Sequence, residues 1–426
     1  MTTYAQVLLI AIPFFVVLII IEGSYGWFVN RQTFRSFDTI SSLSSGITNL
    51  LKTVLGLTLV IVGYTWMYEH MALIHIEATW LVYVISFLLI DFAGYIKHFL
   101  SHRVNYFWNE HVIHHSSEEF NLACALRQTI SEFFTIGAFL LIPAALIGMS
   151  PVVIATIAPI HLFLQFWYHT QHIPKLGWVE YILVTPSQHR VHHAINPEYL
   201  DKNMGQIFPW WDRMFGTFQE ELKDVPCVYG IKKPAQTWNP VLINFQHIWI
   251  LIQDAWRTKD WKAKFTIWFK PTGWRPADVA VKYPIEVITN PFDQIKYSTP
   301  ASRWLHAWSW VQMTIALLLL LFMLYNFEAI GFPGLFAYGA ILFLHVYAYT
   351  TLMDLNKYAI YLELLKCAAG MYWISESGDW FGLNAFVAEG SLLLMGYFLV
   401  SVLVVLGFTL WELKSVQISL NSNLKS

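Results

Sequence analysis

The sequence predicts an all-α, polytopic membrane protein of about nine spans, and three observations carry that reading. Hydrophobic residues make up 56% of the 426-residue chain and charged residues only 13%, where a soluble domain carries roughly a quarter charged. The apolar residues gather into runs close to the about 20 residues that a helix needs to cross a bilayer. The chain also holds 20 Trp, 21 Tyr and 31 Phe, residues that anchor spans at the membrane surface. A formal charge of −2 with no long basic run argues against a nucleic-acid partner. Cys124, Cys227 and Cys367 lie far apart and make neither a C-x-x-C pair nor a disulfide framework.

Taken in order, the candidate spans are residues 6–22, 48–67, 78–97, 131–148, 151–170, 308–327, 333–352, 355–375 and 391–411. The N-terminus lacks the positive region of a cleaved signal peptide, so 6–22 is expected to be a retained span. The tight Gly148-Met149-Ser150-Pro151 joins the fourth and fifth runs as a helical hairpin. The eighth run carries Glu363 and Lys366. With the N-terminus outside and the spans alternating, Arg31, Arg35, Lys97, Arg103, Arg127, Lys357, Lys414 and Lys425 all fall inside, and the outer loops hold no Lys or Arg. That is the positive-inside pattern. Residues 1–305 are expected to form a catalytic membrane domain with a cytoplasmic cap, and 306–426 a set of C-terminal membrane helices. The cap stretch 171–305 mixes Trp249, Trp256, Trp261, Trp268 and Trp274 with Lys259, Lys262, Lys264 and Lys270. It reads as amphipathic helices on an anionic leaflet, or as a docking surface for an electron donor.

Sixteen histidines in so apolar a chain require an explanation. Four clusters account for most of them: His98-x-x-x-His102, His111-x-x-His114-His115, Gln165-x-x-x-His169, and His189-x-x-His192-His193. Residues three or four apart share one helical face with β-carbons about 5–6 Å apart, close enough for two imidazoles to bind one ion. Adjacent histidines point about 100° apart, so an H-x-x-H-H unit can serve two neighbouring ions. Two such units facing each other bracket a di-metal centre. His98, His102, His111, His114, His115, His169, His189, His192 and His193 are therefore the expected ligands and catalytic residues, with spans three and five delivering His98 and His169 to the cytoplasmic face. His161 and His172 remain open between ligand, support and packing. Asp91, Gln165, His172 and Gln188 are candidates to hold the ligating rings from behind. The isolated His70, His75, His247, His306 and His345 read as structural.

Imidazole suits iron, zinc, copper and nickel alike, so ligand type alone leaves the metal open. The chain has neither the H-E-x-x-H of zinc hydrolases nor the Glu-x-x-His pairs of soluble di-iron bundles. An all-histidine site beside a membrane fits oxygen activation by a redox metal, although zinc can occupy such a site after purification. Phe107, Trp108, Phe166, Trp167, Tyr168, Trp210 and Trp211 are expected to wall the site against water. Arg103, Arg127 and Arg190 are expected near a lipid head group.

At these residues the chain resembles the fatty acid hydroxylase / sterol desaturase superfamily, whose pattern is H-x-x-x-H, H-x-x-H-H and H-x-x-H-H. The similar stretches run past the histidines, through His111-Val-Ile-His-His-Ser-Ser-Glu-Glu-Phe-Asn-Leu-Ala-Cys-Ala-Leu-Arg-Gln128 and Gln165-Phe-Trp-Tyr-His-Thr170. A third links Thr185-Pro-Ser-Gln-His-Arg-Val-His-His193 to Asp201-Lys-Asn203 and Trp211-Asp-Arg-Met-Phe-Gly-Thr-Phe218. The resemblance covers about residues 90–220. It implies a mixed-function oxidation with two iron ions, O2 and an external two-electron donor. Within the superfamily it points toward the branch acting on ether-linked alkylglycerol lipids, where the donor is tetrahydrobiopterin and a hemiacetal product collapses to an aldehyde. Arg103 stands where that pattern leads one to expect Glu, and Gln188 where it often has His. These departures leave pterin use and ether specificity open.

Three readings result. The first is a lipid monooxygenase hydroxylating an alkyl chain drawn from the bilayer. The second is a sterol, carotenoid or fatty-acyl hydroxylase or desaturase with a ferredoxin-type protein donor. The third is a membrane metal transporter or sensor. Histidines that conduct ions would line several spans through the membrane, whereas these gather at one depth.

Overall fold

The computed structural model describes residues 2–57, 63–132 and 137–413. Among them the regular structure is helical, and the only β pairing is the isolated bridges Val104–Pro271 and Ala194–Tyr229. The helices are α1 (Thr2–Phe28), α2 (Ser36–Val54), α3 (Tyr64–Met71), α4 (Trp80–Arg103), α5 (Asn105–His115), α6 (Gly137–Leu140), α7 (Ile142–Leu146), α8 (Pro151–Phe163) and α9 (Pro186–His193). They continue with α10 (Trp210–Phe215), α11 (Pro240–Arg257), α12 (Trp261–Thr266), α13 (Ala277–Lys282), α14 (Arg303–Tyr325), α15 (Phe327–Ile330), α16 (Gly334–Met353), α17 (Ala359–Ser377) and α18 (Gly390–Phe408).

Among the described residues, five helices are long and apolar enough to cross a membrane: Ala5–Phe28, Trp80–Arg103, Arg303–Tyr325, Gly334–Met353 and Gly390–Glu412. They match the expected first, third, sixth, seventh and ninth runs. Of the others, 48–67 and 131–148 pass through residues 58–62 and 133–136, which lie outside the described set, as do Lys414 and Lys425. The helix within 151–170 is α8, only 13 residues long. The run 355–375 forms α17, whose Glu363 and Lys366 are buried against its neighbours. The hairpin at Gly148-Met149-Ser150-Pro151 forms as expected. Gly148 has φ +72°, and a β-carbon there would lie 1.7 Å from the Ile74 carbonyl, so only glycine fits. Ser150 then caps α8 by accepting from Val153 N at 3.4 Å.

The largest apolar core joins α1 and α2 to α14, α16, α17 and α18, through residues such as Ile40, Leu51, Leu320, Tyr338, Leu352 and Phe398. A second core joins α4 to α7 and α8 around Val82, Ala144 and Val153. Within the expected cap, residues 171–305, α11 rests on α5. There His247 Nε2 donates to the Asn105 carbonyl at 2.9 Å and Ile248 N to Asn109 Oδ1 at 3.1 Å. On the outside of this cap Trp256, Trp261, Phe265 and Phe269 are exposed, an unpartnered aromatic surface of the kind that suits a bilayer interface.

Candidate metal centre

Three short helical pieces and one loop bring nine histidines together. One residue, Val104, separates α4 from α5, and the bend is pinned by the wholly buried Asn105. Its Nδ2 donates to the carbonyls of Ile267 at 3.0 Å and Trp274 at 3.1 Å, and its Oδ1 accepts from Gly273 N at 2.9 Å. Helix α9 starts at Thr185 and Gln188, which form a reciprocal capping box, with Pro186 in the first turn. His169 lies in the loop after α8.

His98, His102, His111, His115 and His192 form one group and His114, His169, His189 and His193 another, with the ligand atoms of each group within 4.8 Å of one another. Each H-x-x-H-H unit splits between the two groups: His111 and His115 part from His114, and His192 parts from His189 and His193. The rings of His115 and His193 stack at 4.4 Å where the groups meet.

The ring nitrogens identify what the groups hold. His98 Nδ1 donates to the Met204 carbonyl at 2.8 Å, His114 Nδ1 to Arg127 O at 3.2 Å, His169 Nδ1 to Gln165 O at 3.1 Å, and His192 Nδ1 to Lys202 O at 3.0 Å. A carbonyl only accepts, so these four rings carry their proton on Nδ1 and present a bare Nε2 lone pair. Yet the Nε2 atoms of His114 and His169 lie 3.4 Å apart, two acceptors facing with no proton between them. His98 Nε2 is 2.9 Å from His111 Nε2, His111 is 3.0 Å from His115, His169 is 2.9 Å from His189, and His189 is 3.1 Å from His193. Two nitrogens bound at about 2.1 Å to one ion sit about 3.0 Å apart at right angles and about 3.4 Å apart at the tetrahedral angle. His102 Nε2, His192 Nε2 and His189 Nδ1 are buried with no protein partner. Converging lone pairs and orphaned nitrogens fit a cation in each group. Burial, reinforced by the neighbouring imidazoles, drives His115, His189, His192 and His193 well below the ordinary histidine value, and His114 falls to about 3 mainly through burial. Neutral imidazole is the form that binds metal.

The supports behind the rings are mostly backbone. Asp212 accepts from Met204 N and Gly205 N, both at 2.7 Å, and from Thr217 Oγ1 at 2.6 Å, which fixes the Met204 carbonyl behind His98. Asn203 Nδ2 donates to Gln188 O at 3.0 Å and to Gln219 O at 2.8 Å, and Asp201 Oδ1 is 3.5 Å from His102 Nδ1. The conspicuous Asp201-Lys-Asn203 and Trp211-to-Phe218 stretches are therefore the cradle of His98, His102 and His192. Arg127 presents its carbonyl to His114 because its side chain is locked to Ser42, Ser116 and Asp38, the last at 2.8 Å.

Of the four residues expected behind the rings, Gln165 touches His169, through its carbonyl. Asp91 meets none of the nine: it accepts from His161 Nε2 at 2.8 Å, Ile207 N at 2.9 Å, Phe208 N at 3.3 Å and Trp211 Nε1 at 2.8 Å, tying α4 and α8 to the loop that carries Met204. His161 is thus its partner. His172 packs on Tyr25 at 5.1 Å, away from both groups, and Gln188 caps α9 while donating to Glu180 O at 2.7 Å. Two expected lipid contacts are corrected. Arg127 is 2% exposed and paired with Asp38. Arg190 makes a two-pronged pair with Glu221, at 2.8 and 2.7 Å, and donates to the carbonyls of Thr170 and Ile173. Both arginines build the cradle; Arg103, half-exposed beside Asp201, is the one left near the surface. Among the expected aromatic residues, Trp108 lies on His102 and His115, and Tyr168 on His189 at 4.3 Å. Phe166 lines the cavity below, while Trp211 serves Asp91. Phe120, not singled out by the sequence, is fully buried against His193 and His169.

Two cavities reach the cluster from different sides. One, of about 720 Å³, is lined by α1, α2, α8 and α14 and opens onto His98, His111, His114, His169 and His189. Its polar end holds Lys97 and Glu110, and both Glu110 carboxylate oxygens are buried without a partner. Burial, opposed by Lys97, raises Glu110 to about 7. Sequence reasoning passed over Glu110; its signal was a carboxylate one residue before His111 on the same helix. The other cavity, of about 650 Å³, lies under the cap and reaches His102, His115, His192 and His193.

Nine converging imidazoles on a helical scaffold are suited to holding metal ions, and the comparisons supply the class of protein. The fatty acid hydroxylase family model matches residues 83–217, a range that contains all nine histidines. The chain is 34% identical to the alkylglycerol monooxygenase of Homo sapiens over 310 residues, 72% of this chain and 68% of that protein. It is 33% identical to the Xenopus tropicalis alkylglycerol monooxygenase over 75% of this chain and 70% of that one. Likeness to the human cholesterol 25-hydroxylase is narrower, 25% over 31% of this chain and 49% of that protein. No solved structure matches. The chain belongs to the fatty acid hydroxylase family, as a membrane-bound, oxygen-dependent monooxygenase.

Proposed function

We propose that this protein hydroxylates the ether-linked carbon of an alkylglycerol lipid, using two iron ions held by the nine histidines. The carrying observation is the apolar cavity that runs from the spanning helices to both histidine groups. An alkyl chain fits among Val7, Leu8, Phe15, Leu317 and Leu320, with its polar end at Lys97 and Glu110, where the unpartnered carboxylate accepts hydrogen bonds from glycerol hydroxyls. Bound iron supplies the redox chemistry that splits dioxygen, one atom entering the lipid and the other leaving as water with two electrons and two protons from an external donor. The donor is tetrahydrobiopterin or a ferredoxin-type protein. Tyr168, Phe166 and Phe120 exclude bulk water from the reacting centre, and the backbone carbonyls of Met204, Lys202, Arg127 and Gln165 keep the rings in the ligating tautomer. A hydroxyl on the ether carbon is a hemiacetal, which collapses to fatty aldehyde and glycerol. The positive-inside pattern supports a cytoplasmic position for the centre. The test supplies oxygen-18 gas, donor and alkylglycerol to iron-loaded enzyme; label in the aldehyde supports the reading, and undiminished turnover without oxygen sinks it.

A further inference from the structure

We infer that the cavity under the cap is the binding site of a small, water-soluble, planar reductant, so that lipid and electron donor approach the histidine cluster from opposite faces. This rests on the oxygenase reading above. The inner wall of the cavity is formed by His102, His115, His192 and His193, rings from both groups, so a bound molecule lies against the ligands themselves. Its other walls come from α5, α11 and further residues of the cap, and the spanning helices α1 and α14 line only the lipid cavity. At about 650 Å³ it has the size of a small-molecule site. A protein donor docks on a surface and needs no recess reaching the metal ligands.

The lining says what the recess takes. Trp108 and Trp274 offer aromatic faces for a flat ring. Lys232 and Lys233 also line it, and neither makes an ion pair with a carboxylate among the described residues. The neighbouring Arg275 is already committed to Asp254, at 2.6 and 2.9 Å, and to the Tyr283 carbonyl at 2.8 Å. Burial and the charge of Arg275 both push the Lys233 ammonium down. The Thr272 hydroxyl, also at the wall, is shielded from solvent without a partner. Two free ammonium groups and a free hydroxyl beside aromatic faces suit a flat heterocycle rich in hydrogen-bond acceptors. Such a donor, written DH2, balances the reaction: RH + O2 + DH2 gives ROH + H2O + D.

The test uses full-length iron-loaded enzyme in lipid nanodiscs with tetrahydrobiopterin as the probe. One variant is Lys233→Ala. The second is Val287→Trp, which fills the recess from a half-exposed rim position. Anaerobic calorimetry measures probe binding without turnover, and steady-state kinetics give KM for probe and lipid separately. Lys233→Ala is expected to weaken probe binding about tenfold, the loss of one charge-assisted hydrogen bond, and Val287→Trp to weaken it at least as much by occupying the recess, with the lipid KM unchanged in both. Probe binding untouched in both variants overturns the assignment, as does wild-type turnover supported by reduced ferredoxin but not by the probe. Binding lost in the variants of an enzyme that incorporates no label from oxygen-18 keeps the site and sinks the oxygenase reading instead, so the two failures are distinct.

Discussion

The protein buries two polar clusters among apolar helices, and they behave oppositely. In the C-terminal bundle, Lys366 on α17 lies 2.6 Å from Glu363 and donates to Ser401 at 3.3 Å, while Gln312 on α14 donates to Ser401 at 2.8 Å. His345 Nε2 donates to the Gln312 carbonyl at 3.0 Å. Charge meets charge and, apart from His345 Nδ1, donor meets acceptor. In the histidine cluster, acceptor faces acceptor and three ring nitrogens have no protein partner at all. Buried polar groups are ordinarily satisfied. A cluster satisfied by the protein holds helices together, and one that is not is built for something the chain does not contain.

The largest effect expected from this contrast is at the ligands. His114→Ala or His192→Ala should abolish turnover and lower the bound metal while leaving membrane insertion intact, as read by metal analysis and flotation; full activity in either variant would break the distinction. In the C-terminal cluster, Lys366→Ala leaves the Glu363 charge buried and unpaired, which costs about 3–5 kcal/mol. Thermal unfolding should show that loss, while turnover per folded molecule stays unchanged. Asp212→Asn places an amide where two backbone N–H groups must be accepted, loosening the Met204 carbonyl behind His98. Metal affinity should fall about 10–100-fold, measured by competition with a chelator. The smallest effect belongs to the pair Glu363→Leu with Lys366→Met, which removes both charges together and should leave stability within about 1–2 kcal/mol of the parent. If the double variant lost oxygenase activity as well, the C-terminal cluster would be more than structural.

The histidine cluster was legible because helical periodicity converts spacing directly into facing rings. All nine histidines named from the sequence converge, and the division of each H-x-x-H-H between two groups follows from the 100° step. The positioning groups were much less so. Four of them are backbone carbonyls, which every residue possesses, and their selection depends on turns such as Asp201 and Asn203, both with φ +55°. Asp91 illustrates the same limit: its place on the His98 face of α4 was readable, but its partner His161 comes from α8 and its other donors from Ile207, Phe208 and, on α10, Trp211. Arg127 and Arg190 were assigned to lipid because charge near a membrane suggests head groups; their carboxylates, Asp38 and Glu221, are distant in sequence. Hydropathy also blurred α2. Its Ser42 and Ser44 bond back to the carbonyls of Asp38 and Ile40 at 2.9 and 2.6 Å, so a polar helix lies buried just before a more apolar run.

The central claim is that two ions share the nine imidazoles, and the most direct measurement is the metal content of active enzyme. Purified protein titrated with ferrous iron should saturate at two ions per chain, with activity rising to its maximum as the second binds. His192→Ala, which removes a ligand from the first group only, should still hold the ion of the group built on His114, His169, His189 and His193. Full activity at a single ion per chain, or an unchanged content of two in His192→Ala with full activity, would contradict the account.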